Sequence, residues 1–300
     1  MSAPAPPAWP ALPVLALLCN ALVWGLSWIA FKALHARGLH PLWSTALVYG
    51  CALAVLLAWR PGALRTLVQH PKLLALAAAA GLTNVGFNWG VTIGDVVRVV
   101  LLFYLMPAWS VLLAWWLLGE RPTRSSLLRV VLALAGVSLV LRQPDSPWPW
   151  PNGLADGLAL LGGLCFALTN ALLRRWRDTP GEARALAMFC GGFGMAAGLA
   201  LVVVQGGARW PAGPWADWLP WALGLSLAFL CGNLALQYGA ARLPAQVTAL
   251  IMLAEVVFAT GSAVLLGAAD PAPRTWAGGA LIVLAALLSI RPVRRPRGPG

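Results

Sequence analysis

The stretch Leu101-Leu102-Phe103-Tyr104-Leu105-Met106-Pro107, continuing to Gly119-Glu120-Arg121-Pro122, is written twice in this chain. The second version begins 149 positions later, at Leu250-Ile251-Met252-Leu253-Ala254-Glu255-Val256, and closes on Ala268-Ala269-Asp270-Pro271. The same offset carries Asn84 to Asn233, Trp89 to Tyr238, Gly90 to Gly239, Leu132 to Leu281 and Gly136 to Ala285. Each copy reads as an apolar helix, a short polar turn and a second apolar helix. A duplicated apolar half points to an architecture in which two related helix bundles enclose something between them.

Working outward, the chain is 60% hydrophobic and 10% charged, where a soluble domain carries about 25% charge. The charges gather in breaks between apolar runs of about 20 residues, the length that crosses a bilayer. These runs predict an all-α integral membrane protein. Its helices fall near 12–34, 42–59, 72–94, 97–118, 125–141, 154–174, 184–204, 216–239, 246–267 and 275–290. The first run lacks the basic leader of a signal peptide and reads as an uncleaved helix.

The net charge of +12 reflects loop arginines beside the helices, so the expected partner is the lipid bilayer and not nucleic acid. Cys19, Cys51, Cys165, Cys190 and Cys231 all lie inside apolar runs with no C-x-x-C spacing. They read as packing residues, and neither a metal site nor a cofactor is expected.

Arginine and lysine set the orientation. With the N-terminus in the cytoplasm, only Lys32, Arg37, Arg98, Arg142, Arg209 and Arg274 of the 21 basic residues fall outside. Both termini are therefore expected inside. Five helices per half is an odd number, so the second half enters from the opposite face. The predicted fold is ten transmembrane helices as two inverted five-helix repeats around a central cavity. Residues 1–146 form the first repeat, 147–153 a linker, and 154–300 the second repeat with a basic tail. Trp43, Trp59, Trp215, Trp218 and Trp276 lie near expected helix ends, as interfacial aromatics do.

The run from Pro107-Ala108-Trp109-Ser110 to Gly119-Glu120-Arg121-Pro122 resembles the signature of the EamA family, within the drug/metabolite transporter superfamily. Trp24-Gly25-Leu26-Ser27-Trp28 resembles its first-helix motif, and Ala254-Glu255-Val256-Val257-Phe258-Ala259 its second-copy motif. Val256 stands where that motif often has proline, and Ala268-Ala269 replaces its Gly-Glu pair. The resemblance implies a multi-pass inner-membrane carrier, usually an exporter of metabolites, amino acids or drugs. Tyr104-Leu105-Met106-Pro107 is similar to a Tyr-Leu-Trp-Pro of the aromatic amino-acid exporter branch, with Met106 departing from it.

Glu255 is the sharpest candidate residue. It falls near the middle of the ninth helix, where a charged acid costs about 2.5–3.5 kcal/mol by insertion scales. It is expected to face a cavity, to meet a partner or to carry a proton, and so is either a proton-coupling group or a lock between helices. Pro107 removes one backbone hydrogen bond in the fourth helix and kinks it, either as a cavity-lining hinge or as a static bend. Trp24, Trp28 and Tyr104 offer apolar faces with one polar handle each, suited to a substrate or to packing. Asn84, Asn233 and Tyr238 join them as cavity candidates, the asparagines as a repeat-related pair. Lys32, Asp95 and Arg98 are candidates for an outer gate. Gly86, Gly90 and Gly94, and likewise Gly194 and Gly198, have the spacing of packing seams, either within the bundle or between subunits.

No catalytic residue is expected, because the chain has no metalloprotease, nucleophile-elbow or P-loop motif. The favoured reading is a secondary transporter of a small molecule, monomeric or weakly dimeric. A channel-like pore and a non-transporting scaffold are the alternatives.

Overall fold

The computed structural model describes residues 11–119, 121–142, 150–203, 214–240, 242–243 and 245–289. Glu120, Pro147–Pro149 of the expected linker and the basic tail from 291 lie outside the described residues. Among those described, thirteen helices form and no strand. They are α1 (Ala11–Ala36), α2 (Pro41–Trp59), α3 (Gly62–Val68), α4 (Leu73–Ile93), α5 (Val96–Phe103), α6 (Met106–Leu118) and α7 (Arg124–Leu141). The later six are α8 (Leu154–Arg175), α9 (Gly181–Val203), α10 (Trp215–Ala240), α11 (Ala245–Met252), α12 (Ala254–Leu265) and α13 (Pro273–Ser289). Eight segments are long and apolar enough to cross a membrane, counting Val96–Leu117 as one, and two shorter apolar helices, Ala254–Leu265 and Pro273–Leu288, follow them. The protein is a multi-pass membrane protein.

Local chemistry sets the helix ends. Asp95 caps α5 by accepting from the Arg98 N–H at 2.7 Å, and Thr123 caps α7 by accepting from Ser126 N–H at 3.1 Å. Such caps satisfy amides that the helix leaves open. α6 ends on Gly119, whose φ of 70° is the left-handed stop that glycine adopts without strain.

Two expected helices are broken. The fourth divides into α5 and α6 at Tyr104–Leu105, and the ninth into α11 and α12 at Leu253. Offsetting the first break by 149 positions lands on the second. Both breaks tighten into i→i+3 bonds: Ala108 N–H to Leu105 O at 2.9 Å, and Val256 N–H to Leu253 O at 3.1 Å. Proline explains only one of them. Pro107 cannot donate to Phe103 O, but Val256 has its N–H. A glycine of the other half packs close to each, at the first break itself and in the first turns of α12 just beyond the second. A Cβ on Gly163 of α8 would sit 2.4 Å from Phe103 O, and one on Gly25 of α1 would sit 2.9 Å from Glu255 O.

The halves interleave. Matching each helix to its copy (α1 to α8, α2 to α9, α4 to α10, α5 to α11, α6 to α12, α7 to α13) also matches their contacts. α1 packs on α10 as α8 packs on α4; α1 packs on α12 as α8 packs on α6; α2 packs on α10 as α9 packs on α4. Lipid tails are as apolar as leucine, so close approach and dispersion, not water release, hold such seams. Gly86, Gly90 and Gly94 lie against Leu158, Gly162 and Ala155 of α8, as their spacing predicts. Gly194 and Gly198 form no seam within the described bundle. Nothing lies within 4 Å of a Cβ at Gly194 or Gly198; the close approach on α9 comes instead from Gly191, against Ala77 O, and Gly192, against the Tyr49 ring.

Candidate functional site

The two breaks face each other. Tyr104, buried at the end of α5, donates its hydroxyl to Glu255 Oε2 at 3.1 Å, in the first turn of α12. Glu255 is half-buried and Tyr104 is 3% exposed. One hydrogen bond therefore joins the interrupted helix of one half to that of the other. Glu255 sits at a helix start, where the peptide dipoles favour negative charge.

Aromatic rings extend from this point. Phe103 lies 6.2 Å from Tyr104, 4.9 Å from Phe87 and 5.6 Å from Phe166, measured between ring centroids. Phe87 meets Trp24 edge-on at 6.1 Å, and Trp24 stacks on Phe229 at 4.6 Å. Tyr49 closes the series 6.0 Å from Phe229. These rings come from α1, α2, α4, α5, α8 and α10, hence from both halves. Trp24 and Tyr104 belong to the sequence-derived set, while Phe87, Phe103, Phe166, Phe229 and Tyr49 do not. A phenylalanine in an apolar run carries no mark that separates a site from a core.

The remaining candidates have specific partners. Trp28 donates Nε1–H to Ser262 Oγ at 3.0 Å, tying α1 to α12. Pro107 is buried in the first turn of α6, just beyond the break. Asn84 accepts the Tyr49 hydroxyl at 2.7 Å, between α2 and α4. Asn233 donates to Phe229 O of its own helix at 3.0 Å. Tyr238 is covered by the Arg242 guanidinium, 3.8 Å from its ring centroid.

At the Arg98 end of the bundle the expected trio divides. The Asp95 carboxylate takes the Arg98 backbone N–H to cap α5 and not the Arg98 guanidinium. The guanidinium grips Asp156 of α8 with both carboxylate oxygens engaged, Nε to Oδ1 at 2.8 Å and Nη2 to Oδ2 at 2.7 Å. Its Nη1 donates to Val140 O at 2.6 Å, and Asp156 Oδ2 also accepts from Asn152 N–H at 2.7 Å. Lys32 donates to Gly94 O at 3.1 Å. Asp156 was missed by the sequence reading. Its signal was an acid two residues into an apolar run, which resembles an ordinary helix-start residue. Among the described residues no cluster of metal-ligating side chains occurs.

The comparisons with known proteins agree with this architecture. The model of the EamA-like transporter family matches residues 11–142 and again 153–291. The chain belongs to the EamA-like transporter family. The double match covers both copies of the duplicated stretch, and the family is one of transporters, not enzymes. A solved crystal structure at 24% identity aligns with a TM-score of 0.57 over 93% of this chain and 96% of the other, which shows a shared fold. No curated protein matches.

Proposed function

We propose that this EamA-like protein is a secondary transporter that exports a small metabolite across the inner membrane by alternating access. The observation that carries the reading is the Tyr104–Glu255 bond between two helix breaks at repeat-related positions. Interrupted helices place ends and polar groups at mid-membrane depth, where transporters of this build hold substrate. Treating α11 and α12 as one broken crossing, and α13 as another, raises eight crossings to ten, five per half. The matched contacts and the arginine bias support an inverted repeat with both termini cytoplasmic.

Glu255 is the coupling group in this reading. In one state its carboxyl takes the Tyr104 hydroxyl; in the other it is released to a proton or substrate. The aromatic rings between the halves suit an apolar or aromatic compound, amino acids included. The protein acts as a monomer or weak dimer.

The test is counterflow in proteoliposomes with a panel of radiolabelled amino acids and aromatic amines, with and without a pH gradient. The wild type is expected to show trans-stimulation and a pH-gradient response, and Glu255→Gln to lose that response while still inserting. Flux without trans-stimulation makes the protein a pore, and no flux of any compound favours a scaffold.

A further inference from the structure

A long apolar groove of about 500 Å3 runs along the outside of the seam between α1 and α10. Leu22, Leu26 and Ala30 line it from α1, and Trp221, Gly224 and Leu225 from α10. Ser27 adds no unmet polarity, since its hydroxyl donates to Trp24 O at 2.8 Å. The floor is open at Gly224, where a Cβ would meet no atom within 4 Å. From Leu22 to Ala30 the groove extends about 12 Å at 1.5 Å per residue. That is close to the ~15 Å depth of one hydrocarbon leaflet.

One end of this groove carries a charge. The Arg37 guanidinium carbon lies 5.1 Å from the centroid of the Trp221 ring, which is itself part of the wall. Arg37 is exposed, and one of its nitrogens donates back to Ala33 O at 2.8 Å. Among the described residues no carboxylate lies within ion-pair reach of it. A cation with free donors thus sits over a one-leaflet apolar channel, on a side chain that reaches from the helix end toward the headgroup layer. Water-soluble ligands do not match this combination of a charged end and a long apolar body.

We infer that the α1–α10 groove is a binding site for one glycerophospholipid, with an acyl chain along Leu22–Ala30 and the headgroup phosphate on Arg37. The lipid covers the seam between the first and second halves from outside, and an anionic headgroup binds best because Arg37 faces it without a competing acid. The inference requires only that the protein spans a membrane and does not depend on what it carries.

The experiment uses purified, delipidated full-length protein in mild detergent, with native mass spectrometry and thermal stability as readouts. The probes are dioleoyl phosphatidylglycerol, dioleoyl phosphatidylcholine and inorganic phosphate. The expected result is retention of one phosphatidylglycerol with a rise in melting temperature, weaker retention of phosphatidylcholine, and no effect of phosphate. Arg37→Gln removes a charge-assisted contact and is expected to lower phosphatidylglycerol affinity about tenfold or more. Gly224→Leu fills the groove and is expected to reduce retention of both lipids, and Arg37→Gln, on an exposed side chain, tests the site independently of any folding defect that leucine causes. Wild-type lipid retention by both variants overturns the inference. So does stabilisation by inorganic phosphate equal to that by phosphatidylglycerol.

Discussion

Removing one partner of the Arg98–Asp156 pair has a cost that depends on which partner goes. Asp156 is 2% exposed, and three donors converge on it, two of them from Arg98. The Arg98 side chain is 22% exposed and has a further acceptor in Val140 O. Arg98→Ala therefore strands a buried carboxylate on a single amide, the situation that costs about 3–5 kcal/mol. Asp156→Ala also removes three hydrogen bonds, but it leaves a guanidinium that keeps Val140 O and reaches water, so its cost falls to about 1–3 kcal/mol, the range for polar groups left short of a partner. In the double variant the stranded charge is gone, and a coupling of about 1.5–3 kcal/mol is expected between the two sites. The assay is a double-mutant cycle on unfolding free energies from reversible SDS titration in mixed micelles. A coupling below about 0.5 kcal/mol, or Asp156→Ala costing more than Arg98→Ala, refutes the reasoning, since either outcome makes this a solvated surface pair.

Two further predictions concern packing and a cap. Gly191→Ala drives a methyl group to 1.9 Å from Ala77 O and is expected to destabilise by about 1–3 kcal/mol or more, whereas Gly194→Ala meets open space and is expected to be near neutral; thermal melts of the two variants check this. His40 caps α2 by accepting the Leu42 N–H on Nδ1 at 3.2 Å, and burial, then the nearby His35, hold its pKa below the usual 6.5. The unfolded chain thus binds the proton more readily, so this contribution to stability is intact above about pH 6.5 and is lost as pH falls through the folded value. His40→Asn, which keeps a capping oxygen and cannot titrate, is expected to flatten that acid-side loss in melts between pH 5 and about pH 7.5.

The helical class, the membrane setting and the family were legible because they rest on run length, charge spacing and a repeated phrase. The second helix break was not. Val256 shows no proline, and the close packing just beyond the break comes from Gly25 of α1, more than two hundred residues away in sequence. Glu255 and Tyr104 were both singled out as residues, but nothing in their spacing puts them in contact. That contact depends on how two copies interlock. Arg98 was likewise visible as a charge near a helix end, while its true partner was hidden because a buried acid and a capping acid look alike two residues into a helix. The aromatic rings were hidden for the opposite reason: among so many apolar residues, position alone distinguishes them.

The interleaving of the halves also bears on how the protein is made. α1 packs most extensively on α10 and α12 of the other half, and Asn20, with no exposed surface in the folded protein, donates to Met252 Sδ at 3.5 Å, 232 residues later. At about 5–20 residues per second of synthesis, that amide spends about 10–50 s in the bilayer before its own chain can cover it. Neither half completes itself in the meantime: α4 waits for α8 until just past the midpoint of synthesis, and the surface that α1 turns toward α10 and α12 stays open to lipid or to an insertion chaperone until most of the chain is made.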